Sequence, residues 1–135
     1  MSVLVVLERQ PEGIDELSLQ ALTFARSLAA QAPVHALAVG RDAAVLATRL
    51  GEHRVSTLHV AEHEVFDSYA PVAVARAAVE LSERLETATV VAAGSERGNE
   101  VLAHVGALLD LPLAANCIEA TPGDPVRVIR LRWGG

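Results

Sequence analysis

The chain reads as a three-layer α/β domain of Rossmann-like type, a mainly parallel sheet with an antiparallel edge strand. Three observations predict this. Short apolar runs rich in β-branched residues recur at Ser2–Leu7, Val34–Gly40, Val55–Ala61 and Thr89–Ala93, as strands covered on both faces do. Between them, apolar residues repeat at helical spacing. The connections are short, and strand–helix–strand order with short links is the signature of a parallel sheet with right-handed crossovers. The 135 residues, 51% of them apolar, are enough for one domain over residues 1–135 with a real hydrophobic core. By analogy with doubly wound sheets, five parallel strands in the order 3-2-1-4-5 are expected, with the last strand antiparallel at the edge.

Taken in order, Ser2–Leu7 is the first buried strand, and Glu8–Gly13 is a polar loop broken by Pro11 and Gly13. Asp15 caps the first helix, whose face is Leu17, Ala21, Phe24 and Leu28, widened by Leu22, Ala25 and Ala29. Val34–Gly40 is the second strand. Asp42 caps a short helix holding Val45, Leu46 and Leu50, and Gly51 suits the left-handed position just past its end. Val55–Ala61 is the third strand. The loop Glu62–Ala70 carries Phe66 and Tyr69, and Pro71 suits the first position of a third helix with the stripe Val74, Ala78, Leu81 and Leu85. Arg76, Glu80, Glu83 and Arg84 form its solvated face, with Glu80 and Arg84 a favourable i,i+4 pair.

The stretch Ala88–Pro112 organises the rest. Thr89–Ala93 is a buried strand, Gly94 ends it, Ser95 is the N-cap of a helix, and Gly98 permits a tight turn near its first turn. Val101, Val105 and Leu108, with Leu102 and Leu109, repeat at helical spacing, and Pro112 stops the helix. Ala115–Ala120 is a fifth strand. The turn Thr121–Pro125 then returns the chain into Val126–Trp133 as an antiparallel edge hairpin, whose Arg127, Arg130 and Arg132 discourage edge-to-edge aggregation.

Net charge is −6, and all 11 basic residues are Arg. No basic stripe is present, which argues against nucleic-acid binding. The longest apolar runs are too short to span a bilayer, and no signal peptide is visible. Cys117 is alone, so no intrachain disulfide can form, and a cytoplasmic setting fits. Its expected role is a small buried strand residue rather than a nucleophile.

Loops after parallel strands lie at the carboxyl edge of the sheet, where ligands and partners bind, so Glu62–Tyr69 and Gly94–Gly98 both belong there. Gly94, Ser95 and Gly98 are the weak candidates for a cofactor site, because backbone N–H groups at a helix N-terminus favour an anion. Against that stand Glu96 in the same loop, the absence of Gly-x-Gly-x-x-Gly after the first strand, where Glu8–Gly13 runs instead, and the absence of a P-loop. A tight strand-to-helix turn used for packing is the plainer reading. His59 and His63 are four apart with His53, Glu62 and Glu64 nearby, but a strand does not converge such a pair, and no metal is expected. His104 has no acid or nucleophile at matching spacing, there is no Gly-x-Ser-x-Gly elbow, and no catalytic residue is assigned.

The run Gly94-Ser95-Glu96-Arg97-Gly98-Asn99-Glu100-Val101-Leu102, continuing into Val105-Gly106-Ala107-Leu108-Leu109-Asp110 and Pro112, resembles the amino-terminal domain of the electron transfer flavoprotein alpha subunit. Val3–Glu8, the segment around Val60 to Pro71 and the closing hairpin extend the resemblance over essentially the whole chain. A Pro usual in the helix is Ala103 here, the Arg after it is His104, and the usual Ser-Asp pair is Ala115-Asn116, so no role of those family side chains carries over.

The resemblance implies an adenine-nucleotide-hydrolase-like fold. It implies a scaffold and subunit-interface domain, not an enzyme, working with a beta subunit in electron transfer from flavin dehydrogenases. Family proteins are longer: a second, carboxy-terminal domain carries the main FAD-binding residues. FAD is therefore expected in the full-length heterodimer and not on residues 1–135 alone, and an isolated domain would expose partner-directed apolar area and self-associate. The alternative is a free-standing adenine-nucleotide-binding module of the universal-stress type. That class usually shows a Gly-x-x-Gly and a later Gly-Ser/Thr, whereas Gly98 and Gly106 are followed here by Asn99 and Ala107.

Overall fold

In the computed structural model, which describes residues 2–11, 13–87 and 89–132, four strands form one parallel sheet. They are β1 (Val3–Val6), β4 (Val34–Val39), β5 (Thr57–Ala61) and β6 (Val90–Ala92), in the order β5-β4-β1-β6. Val3 pairs with Val34 and Leu4 with Val90, so β1 is central and buried along its whole length.

The alternation of β1 builds both cores. Val3, Val5 and Leu7 point to one face, packing with Leu22, Ala25 and Leu28 of α1 (Glu16–Ala29) and with Leu50 of α2 (Ala47–Glu52). Leu4 and Val6 point to the other, packing with Val74, Ala75 and Ala78 of α3 (Pro71–Arg84) and Val101 and Val105 of α4 (Glu96–Leu109). The result is helix–sheet–helix, the three-layer Rossmann-like arrangement that the sequence predicts.

The predicted sheet order holds for four strands and fails for the fifth. Cys117–Thr121 (β7) pairs antiparallel with Arg127–Arg130 (β8) in a separate two-stranded ribbon. Instead of joining the sheet beside β6, β7 lies against α1. A short apolar run that predicts a strand says nothing about which edge it joins. The stretch Glu8–Gly13, read as a loop, contains a small hairpin, β2 (Arg9–Gln10) with β3 (Gly13–Ile14). Trp133, expected at the end of the last strand, and Ala88, at the head of the organising stretch, lie outside the described residues.

Caps follow the sequence in part. Asp15 accepts from the Leu17 N–H and Ser95 from the Gly98 N–H, while Pro71 opens α3. Asp42 is not a side-chain cap. It takes a left-handed conformation before a 3-10 turn over Ala43–Leu46. Gly51 lies inside α2, and Arg54 is the residue at positive φ beyond it. The helix before Pro112 already ends at Leu109, with Asp110 in the left-handed cap position. On α1 the buried stripe is Ser18, Ala21, Leu22, Ala25, Leu28 and Ala29, so Leu17 and Phe24 fall to its margin. On α3 the stripe is Val74, Ala75, Ala78 and Ser82, leaving Leu81 and Leu85 half-buried. Glu80 and Arg84 pair as expected on the exposed face.

Candidate functional site

An open α/β sheet offers a crevice at the carboxyl ends of the strands where the chain reverses direction. Here that point lies between β1 and β6, because α1 after β1 and α4 after β6 pack on opposite faces. The predicted candidates Gly94, Ser95 and Gly98 lie at this point, facing the residue that leaves β1. Ser95 Oγ donates to Glu8 Oε1 at 2.7 Å and accepts from the Gly98 N–H at 3.0 Å. One hydroxyl therefore ties the end of β1 to the first turn of α4. The chain's own Glu8 carboxylate thus stands beside the N-cap of α4.

Gly98 explains the tightness of the turn. A Cβ built there would lie 2.0 Å from the Ala93 carbonyl oxygen, far inside contact distance. The close approach that glycine permits is made by the end of β6. At Gly94 a Cβ would meet nothing within 4 Å.

Around this bridge the carboxyl edge carries further side chains. The Arg97 guanidinium lies 4.3 Å over the Tyr69 ring centre, and Tyr69 donates to Glu100 Oε2 at 3.1 Å. Burial, and then the Glu100 bond, push the Tyr69 phenol up from its ordinary value. Arg41, after β4, forks onto both oxygens of Asp67 at 2.9 and 2.8 Å. That contact raises Arg41 and lowers Asp67 through the hydrogen bond first. Arg9 reaches from the small hairpin to the carbonyls of Val39 and Arg41 at 3.3 and 2.8 Å. Its Nε is buried without a partner. The hairpin that positions Arg9 left no signal beyond Pro11 and Gly13.

The predicted histidines separate. His63 Nδ1 accepts the Val65 N–H at 3.0 Å and caps the 3-10 turn Glu64–Asp67. His59 instead meets His35 on the neighbouring strand, with ring nitrogens 3.1 Å apart. Sequence reading overlooked His35, although its place two residues before Leu37, the register partner of His59, was available once β4 and β5 were set side by side. Among the described residues, no group of three His, Cys, Asp or Glu converges for a metal ion. Cys117 is half-buried on β7, and burial pushes its thiol up, away from the reactive thiolate.

A wide concavity lies elsewhere. An open groove of about 960 Å³ lies between α1, β6, α4 and the β7–β8 ribbon, in the place the fifth strand was expected to fill. Phe24, Leu28, Leu102, Leu109, Leu113 and Val128 are among its walls. Leu108, Leu111, Ile118, Ile129 and Leu131 add exposed apolar surface on the same α4 end and ribbon.

Neither place fits a flavin dinucleotide. At the switch point, the Glu8 carboxylate lies against Ser95, the N-cap of α4, where it opposes a phosphate, and the close approach that Gly98 permits is made by the Ala93 carbonyl. The groove wall contains Glu119 and no Arg or Lys among the described residues, so no cationic side chain there meets a pyrophosphate, and Phe24 is its one aromatic ring among them.

No helix among the described residues is long and apolar enough to cross a membrane. No curated protein matches the chain. The model of the electron transfer flavoprotein domain family matches residues 3–135, from the first residue of β1 onward. On that match, and with a parallel sheet covered by helices on both faces, this chain belongs to the electron transfer flavoprotein domain family, a family of electron carriers.

Proposed function

We propose that residues 1–135 are the amino-terminal scaffold and subunit-interface domain of an electron transfer flavoprotein alpha subunit. Such a domain works with a beta subunit in electron transfer from flavin dehydrogenases. The run Gly94–Pro112 supports the alpha assignment. One observation carries the scaffold role: at the crevice where a doubly wound sheet would hold a nucleotide, Ser95 donates to the chain's own Glu8. The domain is not an enzyme, and FAD belongs to the full-length heterodimer rather than to these residues. The apolar groove and the exposed leucines near it supply surface for the partner. The domain works in the cytoplasm, a setting supported by its single cysteine.

Calorimetric titration of the chain with ATP, AMP and FAD tests this reading. It expects no saturable micromolar binding, a colourless purified protein, and FAD that passes unretained through a desalting column. Micromolar ATP or AMP binding that Ser95→Ala or Glu8→Gln alters would establish instead a free-standing adenine-nucleotide module. Stoichiometric yellow FAD would place a cofactor site on this domain.

A further inference from the structure

We propose that the imidazoles of His35 and His59 chelate a borderline divalent cation, with zinc as the type ion, on the α3 side of the sheet. This inference does not depend on the family reading. His59 stands opposite Leu37 in the register of β4 and β5, and His35 precedes Leu37 by two, so all three share a face. Leu37 packs with Val74 and Ala78 of α3, which fixes which face that is. Both rings are half-buried, so solvent reaches them.

Two ligands already stand at chelating distance. His35 Nδ1 and His59 Nε2 are 3.1 Å apart. Zinc held at 2.0–2.1 Å by two nitrogens of a tetrahedron spans roughly 3.3–3.4 Å between them. The ring centres are 5.2 Å apart and the planes tilt by 38°. The nitrogens therefore meet edge to edge across the line joining the rings. A bent zinc bridge asks each ring to swing about 35° from that line, and the histidine χ2 torsion is broad and soft.

The charge balance is simple. The neutral pair holds one proton between the two nitrogens and one on an outer nitrogen. When the cation takes the inner position, the shared proton moves to the outer nitrogen of its own ring. The step is a tautomer change with no net proton release. Rigid placement on adjacent strands supplies the preorganisation. No third protein ligand joins them among the described residues, so water completes the shell.

Titration of the whole chain with zinc chloride, followed by calorimetry and by the imidazole resonances in NMR, tests the proposal. One equivalent is expected to shift His35 and His59 together at pH 7.5, with His53, His63 and His104 unmoved and no proton released. His35→Asn and His59→Asn should each weaken binding by at least about tenfold, the scale on which losing even a supporting partner weakens a metal site. Zinc that shifts another imidazole or Cys117 first would overturn the proposal, as would the absence of any shift in large excess of zinc. The spectrum of the unmodified chain decides these outcomes whether or not the variants fold.

Discussion

Substituting Gly98 by Ala adds one methyl group where the structure leaves no room. The new Cβ would lie 2.0 Å from the Ala93 oxygen and 3.2 Å from Ser95 Oγ. Both neighbours are fixed: Ala93 is the buried residue just past β6, and Ser95 is held by Glu8. Relief requires the first turn of α4 to move away from β6 by about 1 Å or more. Overpacking of this kind costs about 3 kcal/mol. The shift also breaks the bond from the Gly98 N–H to Ser95, a cap worth about 1 kcal/mol. Alanine's better helix propensity returns about 1 kcal/mol. The net loss is about 3 kcal/mol, a large part of the 5–15 kcal/mol that holds a typical domain folded. At a urea dependence of about 2 kcal/mol/M, the unfolding midpoint should fall by about 1.5 M. Gly94→Ala is the control, because its Cβ meets nothing within 4 Å and its φ is not positive. It should stay within about 0.5 kcal/mol of the parent. Equal midpoints for Gly98→Ala and the parent, or equal losses for the two variants, would refute the packing role of this turn.

Other perturbations read other parts of the molecule. Ser95→Ala removes the α4 cap and the donor to Glu8, and should cost about 1–2 kcal/mol in urea unfolding; an unchanged midpoint would contradict the bridge. Burial and His35 hold His59 below its ordinary 6.5, so the unfolded chain binds more protons near that pH. Stability should be full above about pH 6.5 and fall as the pH drops through the lowered folded value; a His59→Asn variant should lose this part of the slope, and an identical pH profile would dismiss it. Ile118 and Ile129 are each more than half exposed, so replacing both by Ser should change stability by less than about 0.5 kcal/mol while reducing self-association in light scattering. Undiminished association would move the sticky surface elsewhere.

Local chemistry was the legible part of this sequence. Asp15, Pro71 and Ser95 cap or open helices where their types and spacing place them, and the alternation of Val3 to Leu7 divides between the two cores. What sequence could not carry is the meeting of residues far apart in the chain. Ser95 with Glu8, Tyr69 with Arg97 and Glu100, and His35 with His59 depend on strand order and register. The ribbon shows the same limit. Ala115–Ala120 carries the apolar pattern of a sheet strand, yet its partner is the following strand alone, because period-2 patterning fixes faces and not neighbours. The strand-to-helix turn from Gly94 to Gly98 follows from residue type and spacing, while the bond between Ser95 and Glu8 is visible only in three dimensions.

The subunit-interface role is tested most directly by producing the chain together with the matching electron transfer flavoprotein beta subunit and passing the mixture over a sizing column, with absorbance read in the flavin band. The predicted result is a one-to-one complex of the two, with the chain alone colourless. A chain that elutes apart from that subunit even at high concentration would contradict the role.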